Sequence, residues 1–139
     1  MDDLYREHLL DHYRHPRNHG TLEAPDCEAE GKNPLCGDEV EIDVAVADGR
    51  IDAIRFTGHG CAVSQAATSM LTELVAGMPV AEAAALPSQA IIDELGIPLS
   101  AMRVKCAVLG LGTLKVALHR GAGTPLPDEW GVDDEMVWD

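Results

Sequence analysis

Three cysteines and one aspartate have the residue types and setting to do chemistry in this chain. Cys36 and Asp38 lie one residue apart in Asn33-Pro34-Leu35-Cys36-Gly37-Asp38, Cys61 follows in Gly58-His59-Gly60-Cys61, and Cys106 in Arg103-Val104-Lys105-Cys106. Three thiolates and one carboxylate fill a four-coordinate site for a thiophilic metal such as zinc or iron. This is not the paired CxxC of a zinc finger, so the fold must gather ligands from distant stretches. Four cysteines would also suffice for two disulfides. Three of them sit beside glycine or basic residues at junctions between loops and elements, which favours metal or thiol chemistry.

The neighbours of each candidate shape its reactivity. Cys61 falls at the start of an expected helix, where the macrodipole and unpaired N–H groups favour a thiolate. Cys106 is expected in or just before the first turns of another helix, with the same advantage. Arg103 and Lys105 flank it and lower its pKa further. Cys27 lies between Asp26 and Glu28, which disfavour a thiolate, and reads as a packing residue. His8, His12 and His15 lie at i, i+4 and i+7 with no acidic or cysteine ligand arranged as in HExxH. They read as solvated or docking-surface histidines, and His59 as a supporting or solvated group.

The elements that must position these residues follow from periodicity. Residues 3–15 read as a helix ended by Pro16, and residues 17–32 as loop with a short edge strand. Val40, Ile42, Val44 and Val46 alternate with Glu39, Glu41 and Asp43, the pattern of a half-buried antiparallel strand. Asp48-Gly49 signals a hairpin. The return strand, Arg50 to Thr57, changes phase between Ile51 and Ile54/Phe56, which predicts a bulge. The hairpin carries Cys36 and Asp38 just before its first strand and delivers Cys61 just after its second, so its open end brings the first three ligands together. A helix over 62–76 follows, with Gly77 past its end and Pro79 blocking continuation. Two short helices occupy 80–96. Ser100 caps a last helix reaching His119 or Arg120, with Val104, Val108, Leu111, Leu114 and Leu118 as its stripe. Residues 121–139 form an acidic tail holding Trp130 and Trp138.

The chain of 139 residues is 46% apolar, which suits one globular domain over 1–139. Its formal charge of −14 repels phosphate backbones and anionic lipid, arguing against nucleic-acid and membrane partners. No apolar run has the length of a membrane span. The N-terminal stretch lacks a secretory pattern, so the cytoplasm is expected.

The wording around the candidate ligands resembles the iron–sulfur cluster scaffold family that includes IscU, SufU and the N-terminal domain of NifU. Asp11-His12-Tyr13-Arg14-His15-Pro16-Arg17-Asn18 is similar to the family's DHYxxPRN stretch, Asn33 to Asp38 to its NPxCGD, Gly60-Cys61-Ala62-Val63-Ser64 to its second cysteine segment, and Lys105-Cys106-Ala107 to its third. The resemblance covers the chain to about residue 120. It implies an α+β fold, a small three-stranded antiparallel sheet with helices packed on one face. It also implies Cys36, Asp38, Cys61 and Cys106 as ligands of a transferable [2Fe–2S] cluster or zinc. Lys105 stands where IscU-type members have a histidine, and a protonated lysine has no lone pair for metal. The run from Arg103 to Ala107 is closer to SufU, whose usual insertion between the second and third cysteines is not seen here.

The leading expectation is therefore a non-enzymatic scaffold or carrier. It accepts sulfur from a cysteine desulfurase and passes clusters to apo iron–sulfur acceptor proteins. Cys106 or Cys36 is the expected persulfide acceptor, with Lys105 or Arg103 steadying the anionic persulfide. The alternative is a zinc-dependent sulfurtransferase of SufU type that stimulates the desulfurase without building a cluster. A zinc ion that only staples the fold is the third reading.

Overall fold

In the computed structural model, residues 2–33, 37–125 and 137–138 are described. In chain order they form α1 (Asp2–Arg14), β1 (Cys27–Asn33), β2 (Asp38–Ala47), β3 (Arg50–His59), α2 (Ala62–Val75), α3 (Val80–Ala84), α4 (Ser88–Leu95), α5 (Ala101–Ala122) and β4 (Val137–Trp138). The antiparallel sheet has the order β3-β2-β1-β4, with three long strands and the two-residue β4 against Gly31 and Lys32. The α+β expectation of a small antiparallel sheet carrying helices holds.

The β2–β3 hairpin turns at Asp48 and Gly49, both with positive φ (54° and 74°), the backbone of a type I′ turn matched to strand twist. Its register runs Ala45 opposite Ala53 and Val46 opposite Ile51. Asp52 is thus the extra residue of the expected bulge, and Ile51, Ile54 and Phe56 all reach the buried face. The stretch 17–32 holds more structure than a short edge strand. β1 pairs with β2 over seven rungs, from Cys27–Val44 to Asn33–Asp38. Residues 18–20 also lie along β3: the Phe56 N–H donates to the Asn18 carbonyl at 3.0 Å, and the Gly20 N–H to the Phe56 carbonyl at 2.9 Å. The edge of β3 is thereby covered against pairing with other chains.

The inner sheet face packs on α5. All residues from Cys106 to Leu118 are buried, so the middle of this helix is enclosed on every side and its apolar pattern there is broader than one stripe. Close approach needs small residues. A Cβ on Gly31 would strike the Thr113 hydroxyl, and one on Gly110 the Thr68 hydroxyl. The helix continues through Gly121 to Ala122, and Gly123 ends it in the left-handed conformation. Gly121 lies against the start of β1, where a Cβ would come 2.5 Å from the Asp26 carbonyl oxygen and 2.6 Å from Cys27 Sγ.

Candidate metal centre

Asp38 opens β2 and is fully buried. Its partner strand β3 ends at His59 opposite Glu39, so the chain turns through Gly60 and presents Cys61 beside Asp38. The Cys61 N–H donates to Asp38 Oδ1 at 2.8 Å, which leaves Oδ2 facing the sulfur at 3.9 Å. Gly60 makes this possible: its φ is +145°, a conformation side chains resist, and a Cβ there would strike Asp38 Oδ1. Cys61 is the N-cap of α2, with its sulfur accepting from the Ser64 N–H at 3.5 Å. The expected helix-terminus setting for this thiol is present.

Cys106 comes from the opposite side, on α5. Ser100 caps that helix by accepting from the Arg103 N–H at 3.3 Å. Cys106 is therefore its sixth residue, beyond the first turn where the dipole acts. The expectation that it shares the electrostatic advantage of Cys61 is corrected on this point. The Asn33 side-chain amide donates to its sulfur at 3.9 Å, and the Arg103 guanidinium lies close by. The charge of the Cys61 sulfur, followed by hydrogen bonding to and the charge of Cys106, raises the Arg103 pKa above its ordinary value. Arg103 itself is exposed, whereas Lys105 is half-buried on the same helix.

The ligand atoms of Asp38, Cys61 and Cys106 all lie within 4.8 Å of one another. Donors held tetrahedrally at about 2.3 Å from one ion stand about 3.8 Å apart, so the trio spans the size of a metal site. Its two sulfurs and one carboxylate suit zinc or iron. Cys36, the fourth expected ligand, lies outside the described residues. Gly37 and Asn33, which bracket it, are joined by a 2.9 Å bond from the Gly37 N–H to the Asn33 carbonyl.

The other candidates have different partners. His59 pairs with Glu39 on the surface, Nε2 to Oε2 at 2.8 Å. Cys27 is buried at the far end of β1, where burial and then Asp26 raise its pKa, consistent with packing. His12, expected at a solvated surface, is buried. Its Nδ1 lies 2.7 Å from Ser69 Oγ and its Nε2 3.4 Å from Glu73 Oε1. Burial, then the charges of Arg17 and His8, lower its pKa. His8 meets it edge-on, with ring centroids 4.7 Å apart. Around His12, Asp11 pairs with Arg17, the Arg17 N–H donates to Ser69 Oγ, and the Asn18 amide donates to Thr72. Residues 11–18 thus clasp α1 to α2. An open cavity of about 270 Å³ lies beside the Gly58–Gly60 turn, walled by Tyr13, His19 and His59.

Sequence reasoning passed over Asn33 and Ser64, both fully buried and both bonded to a candidate ligand. Asn33 had a legible signal, a polar residue ending a row of inward small residues (Cys27, Ala29, Gly31). Ser64, three residues after Cys61, had the spacing of an N-cap partner.

The chain matches the family model described as the NifU-like N-terminal domain over residues 4–123. It is 40% identical over 120 residues to an iron–sulfur cluster assembly scaffold protein IscU from Aquifex aeolicus, covering 85% of this chain and 76% of that one. A crystal structure from Fervidobacterium islandicum AW-1, described as a scaffold for the SUF system, superposes with a TM-score of 0.68 at 30% identity. The match covers 81% of this chain and 94% of that one. The N-terminal part of a NifU-like protein from Brucella abortus shares the fold at 20% identity, with a TM-score of 0.70 over 89% of this chain and 98% of that one.

Proposed function

Since the chain belongs to the NifU-like N-terminal domain family, we propose that it is a scaffold for iron–sulfur cluster assembly whose cargo sits on Cys36, Asp38, Cys61 and Cys106. The observation that carries this is the convergence of Asp38, Cys61 and Cys106 within 4.8 Å from three separate elements. Thiolates are the natural ligands of such clusters. One carboxylate among them is a harder donor and a weaker hold on iron, which suits a cluster that must leave.

Sulfur enters by exchange chemistry. A thiolate of Cys106 or Cys36 attacks the outer sulfur of a persulfide on a cysteine desulfurase. The S–S bond breaks, the desulfurase cysteine leaves as thiolate, and the acceptor becomes the persulfide. Arg103, in reach of both Cys61 and Cys106, steadies the anion, and Lys105 assists from the same helix. Apo iron–sulfur proteins take the finished [2Fe–2S] cluster. The domain spans residues 1–139, with an acidic tail after α5, and works in the cytoplasm; no helix among the described residues is long and apolar enough to cross a membrane.

Anaerobic incubation with ferrous iron, L-cysteine, a cysteine desulfurase and a dithiol reductant that brings persulfide sulfur to sulfide tests the reading. A visible-absorbing cluster forms and moves to an apo ferredoxin, and Asp38→Ala slows that transfer or leaves the cluster too unstable to isolate. Tight zinc with desulfurase stimulation and no cluster would establish the sulfurtransferase alternative instead. Unchanged cluster transfer in Asp38→Ala would remove the role given to that carboxylate.

A further inference from the structure

The two described cysteine ligands are supported by different means. Cys61 has a free helix N-terminus, with the Ser64 N–H at 3.5 Å. Cys106 lies in the second turn of α5, where the backbone N–H groups are engaged in the helix ladder. It is fully buried, so a thiolate there depends on side-chain donors, one of which is the exposed Arg103.

β1 and α5 run alongside one another in opposite directions. Cys27 meets Gly121, Gly31 meets Thr113 and Leu109, and Asn33 meets Cys106. The inward residues of β1 are Cys27, Ala29, Gly31 and Asn33, all buried. The first three are small and apolar, and the row turns polar only where it reaches the metal-binding end. An amide there costs stability unless it is hydrogen-bonded. Three features of Asn33 converge on the site. Its side-chain amide donates to Cys106 Sγ at 3.9 Å. Its carbonyl accepts from the Gly37 N–H, next to Asp38, at 2.9 Å. It also stands directly opposite Asp38 in the β1–β2 register.

We propose that Asn33 is a positioning residue for the sulfur of Cys106, its amide N–H···S bond supplying there what the helix N-terminus supplies to Cys61. One residue then couples Cys106 to Gly37 and to the strand rung of Asp38. The inference rests on Cys106 being a ligand, as the scaffold reading requires, but not on any cluster being built. A hydrogen bond lowers the energy of a sulfur lone pair. Its loss therefore shifts thiolate-to-metal charge transfer to longer wavelength and loosens the ligand, as loss of outer partners generally does.

The test uses the full chain loaded with Co(II) for spectra and with Zn(II) for affinity, the latter by competition with a chromophoric chelator. Asn33→Asp keeps the shape and removes the donor; Asn33→Ser provides a second variant, and circular dichroism checks the fold of both. Either folded variant is expected to move the sulfur-to-Co(II) band to longer wavelength and to weaken zinc by about 10- to 100-fold. Cys106→Ser is run in parallel. If it lowers the band intensity while both Asn33 variants keep the wild-type band and affinity, the proposal is overturned and the site reading survives. If Cys106→Ser leaves the Co(II) spectrum unchanged, Cys106 is not a ligand, and both fall. A loss of stability in the Asn33 variants with no change in band energy assigns Asn33 a merely structural role and also overturns the proposal.

Discussion

Gly60→Ala probes how the carboxylate of the site is held. Gly60 has a φ of +145°, a region where a residue with a Cβ costs about 1–3 kcal/mol. The added methyl would also strike Asp38 Oδ1, the atom that accepts the Cys61 N–H at 2.8 Å. Both the Asp38 side chain and the backbone on which it rests are buried, so the carboxylate must rotate away and lose that bond. Hydrogen bonds to charged groups contribute about 1.5–3 kcal/mol. The combined loss is about 3–5 kcal/mol, a large share of the roughly 5–15 kcal/mol by which domains are stable. Gly49→Ala is the control. Gly49 also has positive φ, +74°, but nothing lies within 4 Å of its would-be Cβ, so only a backbone cost of about 1–2 kcal/mol is expected there. Urea denaturation in a metal chelator gives the stability difference between the two variants, and zinc competition gives the site effect. Gly60→Ala should lose about 10- to 100-fold in zinc affinity, and Gly49→Ala none. If Gly60→Ala matched Gly49→Ala in both measurements, the glycine would not be what seats Asp38, and the account of the turn would be wrong.

Two further outcomes are expected. His12 has its pKa lowered chiefly by burial, so the unfolded chain binds its proton more readily than the folded one. The wild type should then lose stability as pH falls below about 6.5, by at most about 1.4 kcal/mol per pH unit. His12→Gln should flatten that dependence in urea midpoints measured from pH 8 to pH 5, and an unchanged slope would clear His12. Arg103→Ala should slow single-turnover sulfur transfer about three- to five-fold, since an exposed cation contributes modestly. The effect should shrink at high salt, and equal rates in the variant and wild type would remove Arg103 from the reaction, as equal rates in Lys105→Ala would remove Lys105.

What the sequence disclosed differs by the kind of signal each residue leaves. The β2–β3 hairpin was legible because strict alternation, an Asp-Gly turn and a phase slip at Asp52 are all local. Cys61 as a helix N-cap was legible for the same reason, with glycine before and a helical pattern after. β1 was not. Cys27-Glu28-Ala29-Glu30-Gly31-Lys32 alternates, but its inward residues are small, because α5 packs almost onto the backbone there. Large β-branched residues, the usual mark of a strand, would not fit. The burial of His12 was hidden too, since its partners Ser69 and Glu73 lie on a helix far along the chain.

Cys106 shows how an offset of one turn along a helix reaches chemistry. In the first turn Cys106 would have the dipole besides its flanking cations. Ser100 caps the helix as expected, but Cys106 is its sixth residue, past the first turn and fully buried, and its support comes from side chains. Those side chains, Asn33 and Arg103, come from a strand end and from one turn earlier on the helix itself. Asp38 and Cys106 are buried, whereas Cys61 is half-buried and Arg103 exposed, so the trio has a closed side and an open one. Of these groups, Arg103 and Cys61 are more accessible to solvent than Cys106. On the scaffold reading, that exposed cation is placed to meet an incoming persulfide anion.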